Sequence, residues 1–174
     1  EPGKLAPPVV CVTYASVRGG NAGNLYTGLV HARSDAALDI LRRVLSEDLI
    51  VGVNISFDLG CVLQQWPELS EDIWKAYEED RVADCMHFAQ LSDIATKGKL
   101  QRRYSLAAMC ERYLGEEVAK GEDTWRLRYG ELMEVDVSDW PEEAVSYAVD
   151  DVRYTHALWT HLDSVYTRPS SLFH

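Results

Sequence analysis

Val51-Gly52-Val53-Asn54-Ile55-Ser56-Phe57-Asp58 decides how this chain is read. Leu49 to Val53 is a short, β-branched apolar run, the pattern of a buried strand. Asn54 and Ser56 break it, and Leu59, Val62 and Leu63 then recur at helical spacing. An acid at that junction sits at the mouth of a sheet, where open α/β folds bind their ligands. Two roles are open to Asp58 on this stretch alone: a chemical group pointing outward, or the cap of the helix that follows. Asn54 is expected to lock the turn by side-chain hydrogen bonds, and Phe57 to anchor it in the core.

Upstream, Val9 to Ala15 and Leu25 to Val30 read as two strands joined through the turn cluster Gly19 to Asn24, so the pair predicts a hairpin. Ser34 is placed to cap a helix over 35–46, with Leu38, Leu41, Val44 and Leu45 on its apolar side. Downstream, Pro67 ends the helix that carries Asp58, and Ser70 is expected to cap the next one. Arg81 to Asp84 predicts a short strand, followed by a helix through Met86, Phe88, Leu91 and Ile94. Ser105 caps a helix over 106–114 that Gly115 closes. Asp139-Trp140-Pro141-Glu142-Glu143 opens a long last helix, with Pro and acids in its first turn. Its apolar stripe runs through Val145, Ala148, Val152, Thr155, Leu158, Trp159, Leu162 and Val165. Strands early and helices late, with one strand buried among helices, give the α/β class.

The chain has 174 residues, 47% of them hydrophobic, enough to bury a core as one domain over 1–174. Residues 1–8, rich in Pro, read as a connector, and 167–174 as a C-terminal tail. Position 1 is not Met, so the ends look trimmed. A formal charge of −11 argues against broad, non-specific binding of nucleic acid through its phosphates. It is compatible with an enzyme that grips a few nucleotides and holds a divalent cation with carboxylates. Cys11, Cys61, Cys85 and Cys110 lie far apart without zinc-site spacing and read as buried, reduced thiols. No run is long enough to span a membrane, and the expected location is the cytoplasm.

Tyr147 and Asp151 lie four apart on the last helix and so share a face. A phenol and a carboxylate aimed together into a cleft suit metal-assisted hydrolysis, the acid holding the cation and the hydroxyl orienting water. The plainer alternative is a packed tyrosine beside a solvated helix acid. Lys97 to Arg103 is the one concentrated basic segment. Lys97, Lys99, Arg102 and Arg103 are candidate phosphate contacts and Tyr104 a candidate base-stacking ring; a solvated basic loop is the competing reading.

Taken together, Asn54-x-x-Phe57-Asp58 at a strand end and Tyr147-x-x-x-Asp151 on a late helix resemble the second and third motifs of the DEDD family of 3′–5′ exonucleases. Val82-Ala83-Asp84-Cys85-Met86 resembles that family's Asp-Thr segment, and Tyr104-Ser105-Leu106 its Tyr-Ser-Leu helix start. Trp140-Pro141-Glu142-Glu143-Ala144 is similar to the lead-in to the third motif. Position 146, where the His subclass keeps its base, is Ser146, so the Tyr subclass is the one matched. The wording through Val165-Tyr166-Thr167-Arg168-Pro169 is most similar to the proofreading domain of a phage-type family-A DNA polymerase. The resemblance covers roughly 8–163.

It implies a ribonuclease-H-like fold, a mixed sheet flanked by helices. It also implies removal of nucleotides from the 3′ end of single-stranded DNA with two Mg²⁺ or Mn²⁺ ions. Asp58 and Asp151 would be metal ligands, Tyr147 would position the water, and Asn54 would shape the turn and touch the nucleotide. A polymerase domain, joined or associated, is the implied partner; for a phage protein the location is the host cytoplasm. One departure stands out. The family opens on a strand carrying Asp-x-Glu, and none precedes Asp58 here. Val9 to Ala15 then matches the family's second strand, with the first expected upstream of Glu1, or its slot filled by another segment or another copy. Taken literally, the chain should bind metal poorly and hydrolyse DNA slowly or not at all. The alternatives are a catalytically degenerate module that binds DNA or a polymerase, and a ribonuclease-D-like exonuclease acting on RNA.

Overall fold

A computed structural model of the chain describes residues 6–18, 24–118 and 125–166. The turn cluster before Asn24, most of the connector and the tail lie outside these residues. Strand β1 (Cys11–Arg18) pairs antiparallel with β2 (Asn24–His31), Cys11 opposite His31 and Tyr14 opposite Gly28. Gly28 leaves room for the Tyr14 ring, whose Cζ would lie 2.4 Å from a Cβ at that position. Helix α1 (Asp35–Glu47) follows, its first turn capped by Ser34 Oγ accepting from the Ala36 N–H at 3.2 Å. Strand β3 (Ile50–Gly52) runs parallel to β4 (Val82–Asp84). Between them come α2 (Ile55–Gln65), a 3₁₀ turn over Pro67–Leu69 and α3 (Ser70–Glu78), a right-sized crossover for a parallel pair. Helices α4 (Cys85–Lys97), α5 (Leu106–Tyr113) and α6 (Glu142–Tyr166) complete the fold, with three short 3₁₀ turns before α6.

Antiparallel and parallel pairing are both present, so the sheet is mixed, but it comes in two pieces. Among the described residues β1 pairs only with β2, and β3 only with β4. Helix α6 packs against β1, β2 and β3, as well as against α4 and α5. Successive residues of β3 serve opposite layers, as a pleated strand must. Ile50 joins Leu45, Leu59, Val62, Leu69 and Ile73 between α1, α2 and α3. Val51 and Val53 face the other way, against Cys85, Met109, Leu158 and Leu162. A third cluster, Leu132, Trp140 and Ala144, lies against Val10, Cys11 and Leu29 of the hairpin.

Ser105 caps α5 by accepting from the Ala108 N–H, and Gly115 follows in the left-handed region at φ +71°, as the sequence predicts. Ser70 is not a cap. Leu69 occupies the capping position without a side-chain bond, because the 3₁₀ turn from Pro67 already feeds the chain into α3. In the stripe of α6, Ala148, Leu158 and Leu162 are buried, while Val165 is exposed beyond the packed neighbours. All four cysteines are free, and burial pushes the thiol pKa values of Cys85 and Cys110 up to about 12 and about 11.

Candidate active site

The turn from β3 into α2 is built around one residue in a costly conformation. Asn54 sits at φ 58°, ψ 43°, left-handed space that Asn tolerates better than most side chains. The expected side-chain lock is absent: Asn54 makes no capping bond through its amide. The turn is held from outside instead. Asp84, at the end of β4, accepts the Asn54 N–H at 3.0 Å and the Ile55 N–H at 3.2 Å, and also caps its own helix through the Met86 N–H at 2.8 Å. Its side chain is only 6% exposed, with His87 Nδ1 at 3.6 Å. One carboxylate therefore sits over the positive ends of two helices that follow parallel strands.

The resemblance placed Asp84 in a family-like segment but not in this role, which depends on β3 and β4 being neighbours. Asp84→Ala is expected to strand three backbone donors and lower stability by about 2 kcal/mol. A urea titration checks this. His87→Ala should leave the midpoint unchanged, because that side chain is mostly solvated.

Phe57 does not anchor the turn in the core; it is 53% exposed. Position 57 falls on the outer side of the first turn of α2, and the inward positions are taken by Leu59 and Val62. One residue on, Asp58 lines a cleft of about 1640 Å³ together with Tyr147 and Asp151, the one-turn pair of α6. The three residues that the two sequence motifs singled out thus share one concavity. Crowding by the cleft walls is the main cause that raises the Asp58 carboxyl to about 6. The charges of Asp84 and Asp151 push it further, against its own backbone hydrogen bond. Asp58 also keeps exposed surface, so cleft water screens it from both charges.

Tyr129 also lines the cleft, and no motif in the sequence points to it. Its ring lies 6.2 Å from that of Tyr147, and its hydroxyl donates to the Ala144 C=O at 2.6 Å. Burial first, then the charges of Cys11 and Asp151, raise its pKa and keep it a neutral donor. It packs beside Tyr147 on the cleft wall.

The basic segment is split by the fold. Arg103 and Tyr104 line the cleft, whereas Lys99 and Arg102 are exposed away from its lining. Lys97 bonds Asp93 at 2.6 Å, and Tyr104 Oη donates to the same carboxylate at 2.7 Å while accepting from the Gln101 N–H. The Arg112 guanidinium sits over the Tyr104 ring at 5.3 Å. Asp93 is buried, which pushes its pKa up, but the bonds from Lys97 and Tyr104 and the charge of Arg112 outweigh burial and hold it below the usual range.

For a divalent cation the donor set is thin. Among the described residues no group of three or more His, Cys, Asp or Glu converges. Asp48, Asp58, Glu111 and Asp151 all line the cleft, and of these Asp151 is the one whose charge acts on Asp58. That pair are hard oxygen donors of the kind Mg²⁺ and Mn²⁺ take and fit one weakly held ion that relies on substrate phosphate for the rest of its shell. No helix among the described residues is long and apolar enough to cross a membrane.

A family model described as 3′-5′ exonuclease matches residues 11–166, most of the chain. No curated protein and no solved structure matches.

Proposed function

The chain belongs to the 3′-5′ exonuclease family, and from that premise we propose that it hydrolyses the 3′-terminal phosphodiester of single-stranded DNA as a proofreading-type enzyme. The observation that carries the reading is the meeting of Asp58 with Tyr147 and Asp151 in one cleft. When bound, a divalent ion supplies positive charge to the scissile phosphate and a more acidic water. Asp58 and Asp151 would hold it through their carboxylate oxygens. Tyr147 orients the attacking water, with Tyr129 fixing the plane of its ring. Asn54 shapes the turn that presents Asp58 and contacts the terminal nucleotide. Arg103 and Tyr104 at the cleft receive the strand, while Lys99 and Arg102 draw in its more distant phosphates. Neutralising Lys99, Arg102 and Arg103 should flatten the salt dependence of single-strand binding, by about 0.7 in log–log slope for each phosphate the protein no longer neutralises.

The pH dependence follows from Asp58. Its raised pKa means that it is protonated below about 6, so cation binding and hydrolysis should fall as the pH drops through that value. The sign for folding is opposite. The folded state holds this proton more tightly than the unfolded chain, so Asp58 adds stability as the pH falls from about 6 towards its unfolded value near 4. Activity and thermal midpoint measured across about pH 4.5 to 8 should therefore diverge on the acid side.

The thin donor set favours a second reading, a non-catalytic member of the family that binds DNA or a polymerase. The deciding experiment is digestion of 5′-labelled single-stranded DNA, and of RNA of the same sequence, with Mg²⁺ and then Mn²⁺, by the chain and by Asp58→Ala. A slow ladder of shortened DNA that disappears in the variant supports the exonuclease. A ladder that survives Asp58→Ala refutes the site, and DNA binding without products supports the second reading.

A further inference from the structure

The corner that joins α4 to α5 is held by side chains rather than by its backbone. Gly98 leaves α4 in the left-handed region at φ +68°, and among the described residues 99–104 make no backbone–backbone hydrogen bond. A segment without such bonds keeps its course only by what its side chains and neighbours grip. Its last two residues, Arg103 and Tyr104, nonetheless stand on the cleft wall.

The bonds that hold them there lead back to Asp93. The Tyr104 hydroxyl donates to Asp93 Oδ2 at 2.7 Å and accepts the Gln101 N–H at 2.8 Å. Arg112 donates from Nη2 to the Arg103 C=O at 2.9 Å and brings Nη1 to 3.6 Å from the same Asp93 oxygen. That Nη1 is buried without a hydrogen-bond partner, so the Asp93 charge is what offsets its own. Asp93 is 1% exposed and does not line the cleft, yet it fixes two residues that do.

Stability alone does not account for such a group. Burying a carboxylate costs desolvation that its ion pairs only roughly offset, and apolar side chains of similar volume hold helices together as well. Apolar packing has no preferred direction, whereas a hydrogen bond fixes an angle as well as a distance. What the network adds is therefore the orientation of the corner. A strand that meets a preset ring and a preset cation does not have to order them, which is how preorganised sites gain affinity.

We infer that Asp93 is a positioning residue for substrate: through Tyr104 and Arg112 it presets Arg103 and Tyr104 to receive single-stranded DNA. The inference rests on the reading of the cleft as a nucleic-acid site, and not on whether the chain hydrolyses what it binds.

Fluorescence anisotropy of a 5′-fluorescein oligothymidylate of about 12 nucleotides, in EDTA, reads binding apart from hydrolysis. Asp93→Asn should weaken binding about tenfold, because the loosened corner gives up a stacked base and a paired phosphate. Made in an Arg103→Ala/Tyr104→Ala chain, the same substitution should change the affinity by less than about twofold. A merely structural Asp93 gives the same factor in both backgrounds, and that result overturns the inference. If circular dichroism shows Asp93→Asn unfolded, Tyr104→Phe decides, since it keeps the ring and removes only the two bonds of the hydroxyl. It should weaken binding at least about threefold, and wild-type affinity overturns the inference. Equal binding by the wild type and a folded Asp93→Asn overturns the inference and leaves the nucleic-acid reading standing. A wild-type chain that does not bind the oligomer overturns that reading, and the inference with it.

Discussion

Asparagine in place of Asp151 is expected to cut the proposed hydrolysis of single-stranded DNA by at least about a hundredfold, with the fold intact. The size follows from how little the site has to spare. With Asp58 and Asp151 as the proposed ligand pair, removing one charge would leave a cation only one of the two, and Mg²⁺ that keeps its waters is hardly retained by one acid. A bound ion contributes several kcal/mol to the developing charge, and each ~1.4 kcal/mol is tenfold in rate. Asn matches Asp in shape, so α6 and its packing survive, and circular dichroism should be unchanged. A second readout is independent of turnover. Asp151 is one of the charges that raise Asp58, so Asp151→Asn should move the Asp58 titration down from about 6 towards its ordinary value. If the rate and the Asp58 titration both stay at wild-type values, Asp151 is not part of this site.

The largest effect on stability is expected from Leu158→Ala. Leu158 is fully buried in the middle of α6, in the cluster with Cys85, Ala89, Met109 and Leu162. Truncation removes apolar contact and leaves a cavity that rigid neighbours fill only in part, at a cost of about 2–5 kcal/mol. Domains of this size are held by only about 5–15 kcal/mol, and a sheet in two pieces places this one towards the lower end. Urea unfolding should show a midpoint lowered by roughly a third or more, or a chain unfolded at about 37 °C. Leu127→Ala is the matched control, because Leu127 is 82% exposed and its loss should stay within about 0.5 kcal/mol.

The strands and helix ends were legible because their causes are local. Ser34 and Ser105 accept from backbone amides two and three residues on, and the Gly115 conformation is one that Gly favours. Tyr147 and Asp151 could be paired from spacing alone, since helical geometry puts residues four apart on one face. That Asp58 joins them was legible only through the family resemblance, because the two segments are far apart in sequence. The failures have the opposite character. Asn54 looked self-sufficient, yet its turn is held by Asp84 from another strand. Phe57 looked like a core residue by type, but its place on α2 faces water once Leu59 and Val62 turn inward. Tyr104 keeps its place on the cleft as a candidate base-stacking ring, but the tie of its hydroxyl was not visible in the sequence. Its hydroxyl is bound to Asp93, which lies two turns into the preceding helix. In each case the deciding partner is a non-local side chain, which residue type and period do not reveal.

Helix α6 packs on both strand pairs although it is the last of the described helices. That placement sets an order of events during synthesis. The β1–β2 hairpin and the β3–β4 unit are both complete in sequence by Asp84, but each is a two-stranded piece with little stability of its own. One face of β3 is covered at once by α1, α2 and α3, but the α6 side of both units stays uncovered until the segment through Leu162 has left the ribosome, some seconds later at ~5–20 residues per second. Contacts spanning that much chain also make folding slow. The nascent protein therefore passes through an interval in which apolar strand edges are formed and uncovered, and synthesis at lower temperature or with a chaperone that shields such edges should raise the soluble yield.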